Sequence, residues 1–181
     1  MADGYVRKLQ PHGIVSPASV TLAATNKALW TVANIPAMGR DYWWAGKEIE
    51  IDVKGHITTA ATPGNLTLAW LYGTGADANG VSLAASAAQT LIASQTTLSW
   101  RARANIRCIS VGAAGTLFCD GEFFFSAAVV AVMDFFAPVI PVVSSACDLT
   151  VANNVITLQA LRSGSTAETM QVHRVTVQEL N

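Results

Sequence analysis

Charge is what this chain has least of. Only 13% of its 181 residues are Asp, Glu, Lys or Arg, roughly half the share usual in a soluble globular domain. Net charge is −1, and no run of Lys and Arg builds the basic stripe that a nucleic-acid groove needs, so no nucleic-acid partner is expected. Against 51% hydrophobic residues, so thin a charged coat implies that other subunits cover part of the exterior. The competing reading is a monomer coated in Thr, Ser, Ala and Gly.

Cysteine is also scarce. Three residues, Cys108, Cys119 and Cys147, give an odd count without CxxC spacing, which argues for free buried thiols rather than a disulfide framework or a zinc site. No uninterrupted apolar span is long enough for a membrane helix: the stretch from Phe123 to Val143 is broken by Asp134, Pro138 and Pro141, and it reads as strand and loop. The opening MADGYVRKLQPHG lacks the apolar core of a secretory signal, so folding in a cytoplasm is expected and no membrane partner is implied.

Catalytic spacing is missing too. His12, His56 and His173 have no nucleophile or carboxylate at motif distance. Gly73-x-Gly75 lacks the third glycine and amphipathic helix of a dinucleotide fingerprint, and GTGADANG lacks the terminal Glu of a calcium loop. Glu48, Glu50 and Asp52 read as a solvated strand face. The expectation is a protein that is not an enzyme and carries no cofactor.

What is present is alternation. From Leu98 to Cys108 small or apolar residues take every second position, and Ser99, Arg101, Arg103, Asn105 and Arg107 take the others, the pattern of a half-buried strand. A second run follows from Thr116. Folding the chain about Ala113 and Ala114 sets Arg107 opposite Asp120, Ile106 opposite Gly121, Ala104 opposite Phe123 and Cys108 opposite Cys119, pairing charges on one face and large with small on the other. GKEIEIDVKG gives another strand, LTLAWLYG follows a Thr-Pro-Gly turn, and MQVHRVTVQEL closes the chain. Two short strands are expected about Asn153-Asn154.

Tyr42, Trp43 and Trp44 stand together before the first long strand. Three adjacent rings read either as core packing or as a sugar-stacking platform. Residues 1–20, with Pro11, Gly13, Pro17 and the cations Arg7 and Lys8, read as an arm, either frayed or strapped to a partner. Residues 21–181 form one all-β domain, an antiparallel sandwich; an immunoglobulin-like sandwich is the runner-up.

The order of these pieces, from the aromatic entry through GKEIEIDVKG, LTLAWLYG, a Gly/Ala/Ser connector and LSWRARANIRCISVGAAGTL to ITLQALRSGSTAETMQVHRVTVQEL, resembles jelly-roll virion proteins of tailed bacteriophages. The likeness runs from about Trp30 to Leu180. It implies a jelly-roll β-sandwich acting as a head decoration protein or a tail-associated module, commonly homotrimeric. A decoration protein would sit on the major capsid protein at the capsid exterior of the virion, assembled in the host cytoplasm. The chain departs from the pattern in FFFSAAVVAVMDFFAPVIPVV and in its N-terminal extension. Phe135, Phe136, Val139 and Ile140 are the expected subunit contact, since so many apolar side chains exceed what one small sandwich hides. Arg7 and Lys8 are the expected capsid-binding residues of the arm.

Overall fold

The computed structural model describes residues 8–9, 19–30, 37–77, 79–126, 133–138, 144, 146–164 and 168–180. Alternation becomes strand throughout, and no helix occurs among these residues. The strands are β1 (Lys8–Leu9), β2 (Val20–Thr21), β3 (Lys27–Ala28), β4 (Glu48–Thr58), β5 (Asn65–Gly73), β6 (Val81–Ala85), β7 (Gln89–Thr90), β8 (Leu98–Ser110), β9 (Thr116–Phe125), β10 (Met133–Pro138), β11 (Val155–Arg162) and β12 (Thr169–Glu179). They form two antiparallel sheets, one curled as a half-barrel. The first sheet runs β12-β4-β8-β9-β10, with β1 and β2 on the outer edge of β12; the second runs β6-β5-β11-β3, with β7 on β5. β10 joins them, pairing first with β9 and then, at Ala137 and Pro138, with β6.

The two sheets share one apolar core, which makes the fold β-sandwich-like. Ile49, Ile51 and Val53 of β4 meet Ala102, Ala104 and Ile106 of β8 on its wall, and Leu66, Leu68 and Trp70 of β5 with Leu158 of β11 line the other side. β11 is buried on both faces because the loop after β5 folds over it: the Gln159 side-chain amide donates to the carbonyls of Ala76 and Asn79, each at 3.1 Å. Asp77 in that loop accepts from the Lys27 ammonium at 2.6 Å and the Ala28 N–H at 2.9 Å. These bonds hold its carboxyl below the usual aspartate range. The GTGADANG segment thus clamps β3.

The central hairpin forms with a different register from the one expected. Ala102 faces Phe123, Arg103 faces Glu122, Ala104 faces Gly121 and Asn105 faces Asp120, so each residue from Trp100 to Cys108 meets a partner two positions earlier on β9 than the charge-matching argument placed it. Arg107 therefore lies opposite Phe118, and Cys108 opposite Leu117 rather than Cys119. The cause is at the tip. Ile109 is an extra residue between the Cys108 and Ser110 pairs, and the turn closes by Gly115 donating to the Gly112 carbonyl, with Gly112 at φ 104°. All three cysteines are free and buried, as their spacing suggested.

Asn153-Asn154 do not separate two strands. Residues 148–154 are turns, held by the Asp148 carboxylate accepting from the Thr150 N–H at 2.9 Å, and only β11 follows. The described parts of the expected arm are spent on their own domain: Lys8 and Leu9 pair with Gln178 and Val177, and Val20 and Thr21 with Met170 and Thr169, covering both ends of the β12 edge. Arg7 lies outside the described residues, as do Val139 and Ile140. Phe135 and Phe136 have Glu122 and Gly121 as register partners in β10, a strand paired to neighbours in both sheets.

Candidate functional site

Two surfaces stand out, one at each end of the first sheet. The first grows from an irregularity in β12. Met170 and Val172 point inward, the register against β4 then slips between Val172 and Arg174, and Val175 and Val177 resume the inward set. His173 is the extra residue. A bulge re-aims a side chain, and here His173 Nε2 comes within 2.8 Å of His56 Nδ1, the rings tilted at 70° with centroids 4.6 Å apart. Gly55 is what lets the strands close in at this point, because a Cβ there would overlap the Gln171 carbonyl oxygen and press on the Trp100 indole.

Beside the histidine pair lies a groove of about 700 Å³ across four strands, lined by Lys54, His56, Ser99, Arg101, Phe124, Ser126 and His173, with Gly55, Trp100 and Phe125 beneath. Among the described residues its ionisable side chains are bases and no carboxylate lines it. Arg101 donates through Nε to Asp52 at 2.6 Å, and this bond pushes its pKa above the ordinary arginine value. Lys54 approaches the same carboxylate only to 3.9 Å and is half-exposed. Phe124 is 41% exposed on the same face. Asp52→Ala and Arg101→Ala should prove non-additive in urea unfolding, with a coupling of about 0.2–1 kcal/mol. Arg107→Ala and Asp120→Ala should add, because no ion pair joins those two side chains.

The second surface is the opposite end, where the 37–47 loop, the hairpin tip and the 148–154 turns meet. Lys47 and Gly46 exchange backbone bonds with Cys108, Leu149 donates to Gly112, and Gly39 abuts Val151. The sequence brings four large apolar side chains to the surface here, Trp44 (49% exposed), Ile109 (46%), Val111 (52%) and Val151 (41%). A shallow pocket between Arg40, Asp41, Val111, Leu149 and Thr150 lies among them.

This end also settles the geometry of the aromatic triplet. Trp43 is in the core, its indole N–H donating to the Met38 carbonyl at 2.6 Å, and Tyr42 packs edge-on against it. Trp44 alone presents its ring to solvent. The three rings form no common platform, because successive side chains diverge and Lys47 sits between two of them, 3.5 Å from the Tyr42 ring centroid and 4.2 Å from that of Trp44. Tyr72 shares the Met38 carbonyl, its hydroxyl donating at 3.0 Å. Burial pushes Tyr72 from the ordinary 10.0 up to about 12. The folded state favours its neutral form, so the associated stability is full below pH 10.0 and is lost as pH rises towards about 12. Tyrosinate absorbance followed with unfolding across that window should show late ionisation in the native protein, smaller by one tyrosine in Tyr72→Phe and leaving Tyr42, which burial also holds protonated.

No family model, curated protein or solved structure matches this chain. The two surfaces must be read from their own chemistry. Among the described residues no three His, Cys, Asp or Glu side chains are grouped as a metal site, and no helix is long and apolar enough to cross a membrane. The groove is the site that spacing arguments missed, since His56 and His173 are 117 positions apart. A signal was present nonetheless: the inward set changes from Met170 and Val172 to Val175 and Val177, and a change of parity inside a strand marks a bulge.

Proposed function

We propose that this protein is a structural component of a tailed-bacteriophage virion, a jelly-roll decoration protein that binds the outer surface of the major capsid protein lattice as a homotrimer, without catalysis. The observation that carries the reading is the apolar end: four of the six exposed large hydrophobic residues among the described residues gather at one pole, and a patch of that kind marks a protein contact. The motif order of the sequence and the all-β architecture agree with it. Assembly in the host cytoplasm and display on the capsid exterior follow from the same reading.

The test is occupancy. Purified particles should carry the chain at a copy number matching the head lattice, and Val111→Asp with Val151→Asp should abolish attachment while leaving the circular dichroism spectrum unchanged. A few copies at the tail tip would overturn the decoration role, and a monomer by light scattering at micromolar concentration would overturn the preformed trimer. A receptor- or glycan-binding module is the second reading, and the observation that favours it is the basic groove, not Tyr42, Trp43 and Trp44.

A further inference from the structure

We infer that the groove beside the histidine pair binds an acidic saccharide, a pyranose bearing a carboxylate. The sign of the ligand follows from the lining: Lys54, Arg101, His56 and His173 converge on the groove, and among the described residues no acid lines it. Asp52, the nearest anion, is committed to Arg101 at 2.6 Å and leaves Lys54 at 3.9 Å, outside hydrogen-bond reach. Lys54 is ion-paired with Asp52 without a hydrogen bond to it, so its ammonium hydrogens can meet a ligand carboxylate.

The body of the ligand follows from the rest of the wall. Phe124 stands on the outer face opposite Arg101 in the β8–β9 register, 41% exposed. An exposed phenyl ring in a groove suits the C–H face of a pyranose, which is apolar while its edge is polar. The hydroxyls of Ser99 and Ser126 stand on the same rim and complement sugar hydroxyls. The volume of about 700 Å³ is in the range of small-ligand sites, and the groove crosses strands as an open trough instead of closing over its contents. That shape accepts a residue inside a longer chain as well as a terminal one. The histidine pair supplies the one ring N–H not used between the two rings and a rigid end wall, fixed by the bulge at His173. This inference does not rest on capsid attachment; a protein seated on a capsid and one seated on a tail would both carry it.

The probes are galacturonic acid, its linear trimer and the neutral galactose trimer, titrated into the full chain and followed by calorimetry and amide chemical shifts. The acidic trimer should bind with a Kd of about 1 mM or tighter, moving the resonances of Gly55, His56, Ser99 and Phe124. Lys54→Ala and Phe124→Ala should each weaken it by about tenfold or more. A gain of trimer over monomer assigns the groove to a run within a polysaccharide, and equal affinity assigns it to a single terminal sugar; both support the inference. Absence of binding by the acidic trimer overturns it, as does equal binding of the neutral trimer. Displacement by the same concentration of sulfate would reduce the groove to a general anion patch and overturn it too. The chemical-shift map on the unmutated chain decides the matter even if a variant fails to fold.

Discussion

Gly121→Leu is expected to prevent the chain from reaching a stable native state. Gly121 is opposite Ala104 in the β8–β9 ladder and has Phe136 of β10 as its partner on the other side. A Cβ at this position would overlap the Arg103 carbonyl oxygen and come within 2.9 Å of the Ala104 Cα. Both are backbone atoms of a strand that is itself hydrogen-bonded along its length to β4, so neither can swing aside as a side-chain tip would. Overpacking a core with flexible neighbours already costs about 1–3 kcal/mol. A rigid backbone neighbour raises that cost, against a total stability of about 5–15 kcal/mol for an ordinary domain. Gly121→Ala should sit between, folded with a clearly lower urea midpoint, and Gly121→Leu should be insoluble or lack a cooperative transition. A Leu variant that unfolds within about 0.5 kcal/mol of the parent would show that β8 and β9 are not held this closely.

Lys47→Ala is expected to be the most damaging single truncation of a charged residue at the apolar end. The side chain is 3% exposed, and its ammonium donates to Glu179 at 2.8 Å and to the Tyr42 carbonyl at 2.9 Å while resting against two aromatic rings. Taking an ammonium out of water is expensive, and it is tolerated here because hydrogen bonds and ring faces replace its hydration. Removing it leaves Glu179 as a buried carboxylate without its cation and opens a void under Tyr42, a loss of about 3–5 kcal/mol by analogy with broken buried pairs. Lys47→Met combined with Glu179→Leu should recover much of that loss, because the apolar pair removes both charges together. The decisive comparison is between the two in chemical denaturation. A loss below about 1 kcal/mol for Lys47→Ala would mean that water reaches the pair. The same cluster holds the Tyr42 hydroxyl protonated, its pKa pushed up by burial and by the charge of Glu179.

Along a single strand, the sequence by itself determined nearly everything. Ile49, Ile51 and Val53 point inward and Glu48, Glu50 and Asp52 outward because strand side chains alternate, and that rule needs no neighbour. The same rule made β8 and β9 legible, and with them the all-β class; the free thiols were legible from an odd cysteine count without CxxC spacing. Tertiary structure decided what alternation leaves open. A slip of two residues between β8 and β9 keeps every side chain on its face, so period two cannot distinguish the expected pairing from the observed one; the extra residue Ile109 and the turn at Gly112 chose it. Whether Tyr42, Trp43 and Trp44 would be platform or core depended on Met38 and Lys47 arriving to satisfy and separate the rings. His56 and His173 became neighbours because β4 and β12 pair edge to edge and a bulge turns one ring towards the other. That contact is a property of strand order, which local residue patterns do not encode.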